Sequence, residues 1–109
     1  MANTFKLKTK ANVGVTTVGI YTAPAATTTV VIGITMANTS GSGVNVGVGI
    51  TRAGTTEDVK LLKNAPIPQG SSLEVMSGNK IVLEATDTVV VDSDTNNSVD
   101  AALTIMEIT

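Results

Sequence analysis

Val44-Asn45-Val46-Gly47-Val48-Gly49-Ile50-Thr51 alternates without a break, with Val44, Val46, Val48 and Ile50 on one side of an extended chain and Asn45, Gly47 and Gly49 on the other. Successive side chains of a strand point to opposite faces, so this period of two predicts a β-strand with one buried face. A helix would scatter the same residues around its circumference. Glycines on the second face predict a bulge or close approach by another backbone, and packing explains them better than a ligand.

The stretches on either side obey the same rule. Thr27 to Ala37 carries the run Val30-Val31-Ile32-Gly33-Ile34, too continuously apolar for a strand with one wet face, which places it mid-sheet. Thr16 to Tyr21 is an earlier strand, ended at Ala23-Pro24-Ala25-Ala26 because proline cannot donate to a ladder. Arg52 to Thr56 reads as a hairpin-type connection into a strand over Glu57 to Lys63, and Asn64 to Gly70, with two prolines, reads as an irregular loop. Ser71 to Met76 and Lys80 to Glu84 flank Ser77-Gly78-Asn79 and are expected to pair as a hairpin. Ala85-Thr86-Asp87 turns the chain into Thr88 to Asp92. After the polar loop Ser93 to Ser98, Val99 to Ile108 closes the domain with Ala101, Leu103 and Ile105 inward and Met106 as a further inward candidate.

Eighteen threonines and fifteen valines supply the β-branched side chains that suit a pleated surface. Eight or nine short strands separated by turn signals predict an all-β fold, an antiparallel β-sandwich of jelly-roll or Ig-like type. With 109 residues there is room for one core, assigned to residues 13–109. Residues 1–12 form an N-terminal strand or arm, in which Phe5, Leu7 and Thr9 share one face and Lys6, Lys8 and Lys10 the other. Lysines on such a strand protect a sheet edge against uncontrolled pairing, or offer a surface to an acidic partner.

Composition removes most chemistry. The chain has no His, Cys or Trp, one Tyr and one Phe, so the commonest general base, thiolate ligands and the aromatic platforms that stack bases or sugars are missing. Its net charge of −2 is the wrong sign for a nucleic-acid surface. No apolar run reaches the 18 or more residues of a membrane helix, and the N-terminus lacks the apolar core of a signal peptide. Neither nucleic acid nor membrane is an expected partner. The carboxylates Glu57, Asp58, Glu74, Glu84 and Asp87 are spaced as turn and solvent-face residues, and no enzyme activity is expected. Asp92-Ser93-Asp94-Thr95-Asn96-Asn97-Ser98-Val99-Asp100 alternates oxygen donors as a calcium loop does. An EF-hand loop, however, needs Gly where Asn97 stands and Glu where Leu103 stands, so a solvated Asx-rich turn is the preferred reading and no metal or cofactor is assigned. Charged residues are only 15% of the chain, little for a free surface, and this predicts faces covered by copies of itself or by a larger assembly.

The order of segments carries a resemblance. Pro66-Ile67-Pro68-Gln69-Gly70-Ser71-Ser72-Leu73 leads to Lys80-Ile81-Val82-Leu83-Glu84, then Asp87-Thr88-Val89-Val90-Val91 and a closing Met106-Glu107-Ile108, after an earlier Gly19-Ile20-Tyr21-Thr22-Ala23-Pro24. Over most of Val18 to Ile108 this resembles small virion structural proteins of tailed bacteriophages, particularly those of marine bacteria and cyanobacteria. The resemblance implies a repeated part of a phage particle: a capsid decoration (cement) protein that binds the major capsid protein or other virion proteins, or else a tail, neck or baseplate accessory with a host-surface role. It implies a place in the virion, the capsid surface ahead of the tail, and a homo-oligomer, with a trimer favoured. It brings no catalytic residue. The arm around Phe5 and Leu7 and the loop at Pro66, Ile67 and Pro68 are the expected assembly contacts, because strand pairing and proline-stiffened loops dock at little ordering cost.

Overall fold

The structure, a computed structural model, describes residues 3–52, 58–76 and 80–109. Among the described residues nine strands make up the fold: β1 (Asn3–Val13), β2 (Val18–Thr22), β3 (Thr28–Asn38), β4 (Val44–Thr51), β5 (Asp58–Ile67), β6 (Ser72–Glu74), β7 (Ile81–Leu83), β8 (Thr88–Ser93) and β9 (Val99–Ile108). The chain doubles back between β4 and β5 into a ribbon of nested antiparallel pairs, β4 with β5, β3 with β6 and β7, β2 with β8, and β1 with β9. That ribbon then rolls up so that β9 also pairs β3 and β8 also pairs β4. Two sheets result, β1-β9-β3-β6 with β7 alongside β3, and β2-β8-β4-β5. This connectivity selects the jelly roll from the two sandwich types expected.

The core lies between the sheets. Ile34, Met36, Leu103 and Ile105 come from the first sheet and Val46, Val48, Val89 and Val91 from the second, all at 1% exposure or less. Each such side chain contributes roughly 1.5–3 kcal/mol by leaving water. Strand β9 keeps strict alternation, with Val99, Ala101, Leu103, Ile105 and Glu107 buried, so Met106 lies on the outer face, contrary to expectation. In β4 the valines and Ile50 face the core as predicted, and the glycine face meets a neighbouring backbone: a Cβ on Gly49 would stand 2.7 Å from the Val59 carbonyl oxygen.

Two local readings are corrected. The segment from Asn64 to Ile67 is not a loop but the end of β5: Asn64 takes a φ of +55° where the ladder shifts, and Pro66 lies opposite Asn45. Proline is tolerated there because β5 is an edge strand whose outer side needs no ladder donor. Likewise β6 and β7 do not pair with each other. Both run antiparallel to β3, β6 along Thr35–Ala37 and β7 along Thr29–Val31, as two pieces of one interrupted strand. Between them the chain drops Met76 into the core. The connection at 53–57, with Glu57, and the Ser77-Gly78-Asn79 segment lie outside the described residues.

Candidate assembly interface

Strand β1 is the edge of the first sheet and touches the ladder of β9 alone. Its register settles which way its faces look. Lys6, Lys8 and Lys10 stand opposite Ile105, Leu103 and Ala101, so the lysines share the inner face, while Phe5, Leu7 and Thr9 stand opposite Met106, Thr104 and Ala102 on the outer face. From Asn3 to Asn12 every residue is exposed except half-buried Lys8, and the strand becomes buried only at Val13. Inward-pointing charges at a sheet edge oppose edge-to-edge pairing.

One buried polar cluster fastens the arm to the body. The Tyr21 hydroxyl donates to Glu107 Oε2 at 2.5 Å and lies 2.8 Å from Thr29 Oγ1, while Lys6 Nζ reaches Glu107 Oε1 at 2.9 Å. These four residues come from β2, β3, β9 and β1, so the cluster ties both sheets and the arm together. Burial, followed by the bond to Glu107, pushes the Tyr21 hydroxyl up to about 12. The bonds from Tyr21 and Lys6 hold the Glu107 carboxyl below its ordinary value despite burial.

The outer face of the first sheet is apolar at one end. Phe5, Met106, Val30 and Val82 form a single row across β1, β9, β3 and β7, with Phe5 69% and Val82 59% exposed. Leu7, 65% exposed, begins the next row. Of the expected contacts, Phe5 and Leu7 therefore belong to a larger surface, which includes Met106, Val30 and Val82. The signal for it lay in the continuous apolar run at Val30 to Ile34, which leaves apolar side chains on both faces of β3. The other expected contacts lie elsewhere. Ile67 is in the core at 1% exposure and its carbonyl accepts from Asn38 Nδ2, at the far end of β3 from Val30. Pro66 and Pro68 flank it, exposed, on the second sheet's edge.

The Asp92–Asp100 loop binds its own chain. Asp92 Oδ2 accepts from the Thr17 hydroxyl at 3.0 Å, Asp94 Oδ1 from the Asn45 N–H at 3.1 Å, Asn96 Oδ1 from the Val15 N–H at 3.2 Å and Asp100 Oδ1 from the Asn12 N–H at 3.0 Å. The oxygens diverge toward separate donors, and among the described residues no three acidic side chains gather to hold a metal ion. At the other end of the sandwich a cleft of about 380 Å³ opens between Ile50 and Val59 on one side and Ile81 and Leu83 on the other. Its polar end is Arg52, ion-paired with Glu84 and, at 3.0 Å from Nε, with buried Asp87. Asp87 also accepts the Glu84 N–H, so this cluster closes the turn between β7 and β8.

No protein-family profile matches the sequence, and no curated protein matches it. Similar solved structures do exist. One is a subunit from Bacillus endospore appendages, described as disulfide-linked pili: 14% identity, 99% of this chain and 87% of that one covered, TM-score 0.60. The shared property is the fold. A chain from the acid-stable capsid of the Helicobacter pylori bacteriophage KHP30 shows 11% identity, 100% and 94% coverage and a TM-score of 0.58. A chain of infectious bursal disease virus, Gx strain, shows 13% identity and a TM-score of 0.54, with 96% of this chain aligned to 36% of that one.

Proposed function

We propose that this protein is a structural component of a phage virion, a decoration or cement protein that binds major-capsid subunits and stabilises the shell without catalysis. The observation that carries this is the exposed arm β1 with the apolar row beside it, a surface that a soluble monomer would leave wet and that a neighbour would bury. Support comes from the jelly roll itself, which this chain shares along nearly its whole length with a chain of a phage capsid. The sequence holds no cysteine for the disulfide linkage named for the spore appendages, and in this reading attachment is by noncovalent burial.

The mechanism is binding. A protein that engages the assembled shell and not its dissociated parts shifts the equilibrium toward assembly by mass action, by about 2.7 kcal/mol per site at a hundredfold excess over the dissociation constant. The exposed Phe5 and Leu7 supply apolar contact between copies, and the exposed Pro66 and Pro68 a stiff contact toward the capsid on the opposite sheet, with Ile67 anchoring that segment from within. The protein acts as a homo-oligomer at the capsid surface; the resemblance implies a trimer, whereas the outer face of the first sheet favours a dimer. Particles lacking the protein are expected to assemble but to release their genome at lower temperature or under osmotic shock. Unchanged particle stability would overturn the decoration reading, and binding confined to the tail would replace it with an accessory role there.

A further inference from the structure

The outer face of the first sheet has a gradient that repeats on three adjacent strands. On β1, Phe5 and Leu7 give way to Thr9 and Ala11; on β9, Ile108 and Met106 give way to Thr104 and Ala102; on β3, Val30 gives way to Thr35 and Ala37. The bulky ends lie together, since Phe5, Met106 and Val30 share a row. The small ends also lie together and form a shallow depression of about 310 Å³ lined by Thr9, Lys10, Ala11, Thr35, Ala37 and Asp100 to Ala102. Midway between the two ends runs the row Leu7, Thr104 and Gly33, where β3 bulges and contributes no side chain.

We propose that this face is a two-fold interface with a second copy of the same chain, the axis passing through the row Leu7–Thr104–Gly33. A rotation about that axis lays the sheets face to face with strands antiparallel. Phe5 of one copy then sits over Thr9 of the other, Met106 over Ala102 and Val30 over Thr35, so bulky side chains meet small ones on all three strands, the two Leu7 side chains meet on the axis at the β1 edge, and Val82 lies over Glu74. Stacking bulky end on bulky end would instead leave the depressions empty. A C2 contact uses one patch twice, which a self-complementary face allows, whereas a three-fold ring needs two different patches to match.

Charge agrees with the geometry. By register the lysines of β1 are on the inner face, with Lys10 alone bordering the depression, and the carboxylates within the face are already bonded, Asp100 to the Asn12 N–H and Glu74 to the Ile34 N–H and the Thr35 hydroxyl. At about 6.8 Å per row and 4.8 Å per strand, five rows on four strands cover roughly 600 Å² on each copy. The total, on the order of 1,200 Å², reaches the lower bound of specific interfaces. Pairing through β1 edge to edge is disfavoured by contrast, since it would bring the three lysines of one copy beside those of the other.

This rests on the homo-oligomer part of the proposed function but not on its place in a virion. Sedimentation equilibrium of the purified protein at micromolar concentration is expected to give twice the 11.1 kDa chain mass. Leu7→Asp and, separately, Thr104→Lys, both at exposed positions, are expected to weaken association roughly 30-fold or more with unchanged circular dichroism. Pro66→Ser on the other sheet is expected to leave the dimer intact. A monomeric wild type, a trimer, or a dimer indifferent to Leu7→Asp would overturn the interface. A dimer that never attaches to particles would overturn only the virion reading.

Discussion

Strands β1 and β4 read alike in sequence, each alternating apolar and other residues with period two, and the fold uses them in opposite ways. In β4 the apolar set faces the core, and even its glycine side is pressed against β5. In β1 the apolar set faces outward and the lysines inward, and the strand stays exposed from Asn3 to Asn12 apart from half-buried Lys8, whereas β4 is buried along most of its length. Alternation therefore announces two faces without saying which one the molecule buries. That is decided by what lies across from the strand, and in β1 it leaves apolar side chains available for another molecule.

The largest expected effect follows from this contrast. Val48→Asp puts a carboxylate where exposure is 0% and is expected to abolish folding, losing more than about 4 kcal/mol, whereas Leu7→Asp in a dilute, monomeric sample is expected to change stability by no more than about 0.5 kcal/mol. Urea denaturation of the two variants measures the difference. Gly49→Val comes next, since its side chain would collide with the Val59 carbonyl; a loss of about 1–3 kcal/mol is expected.

Glu107 links the two kinds of strand. Glu107→Gln removes the ion pair with Lys6 and weakens the bond from Tyr21, at an expected loss of about 1–3 kcal/mol and with faster hydrogen exchange along β1. The carboxyl is depressed below 4.5 in the folded protein, so between its folded and unfolded values the unfolded chain binds more protons. Stability from this group is accordingly present above about pH 4.5 and lost as pH falls through the lowered value, a loss that Glu107→Gln should abolish. Tyr21 acts at the other extreme: with its hydroxyl raised from 10.0 to about 12, stability is expected to decline as pH rises through that interval. The smallest effect is expected from calcium. Because the Asp92–Asp100 oxygens already accept from separate donors, millimolar calcium should leave the melting temperature unmoved; a clear upward shift would contradict the turn reading.

Legibility tracked how local each decision is. The sandwich, the central position of β3 and the inward set on β9 were readable because burial writes itself into Val30 to Ile34 and into Ala101, Leu103 and Ile105. Asn64 to Ile67 misread because proline signals a loop unless the strand is an edge, and edge position is a property of the whole sheet. Ser77-Gly78-Asn79 pointed to a hairpin, but the partner of both flanking segments is β3, far away in sequence (Thr35 opposite Glu74, Val31 opposite Ile81). At the interface, Phe5 and Leu7 were legible as apolar residues on a charged strand. Met106, Val30 and Val82 were not, since only the register across four strands places them in one row with Phe5.

The most direct test of the proposed virion role is cryo-electron microscopy of virus particles assembled with and without the protein, to locate and count its copies. The account predicts difference density in many copies across the capsid surface, in contact with major-capsid subunits. Particles that carry no copy of the chain, or carry it only on the tail, would contradict it.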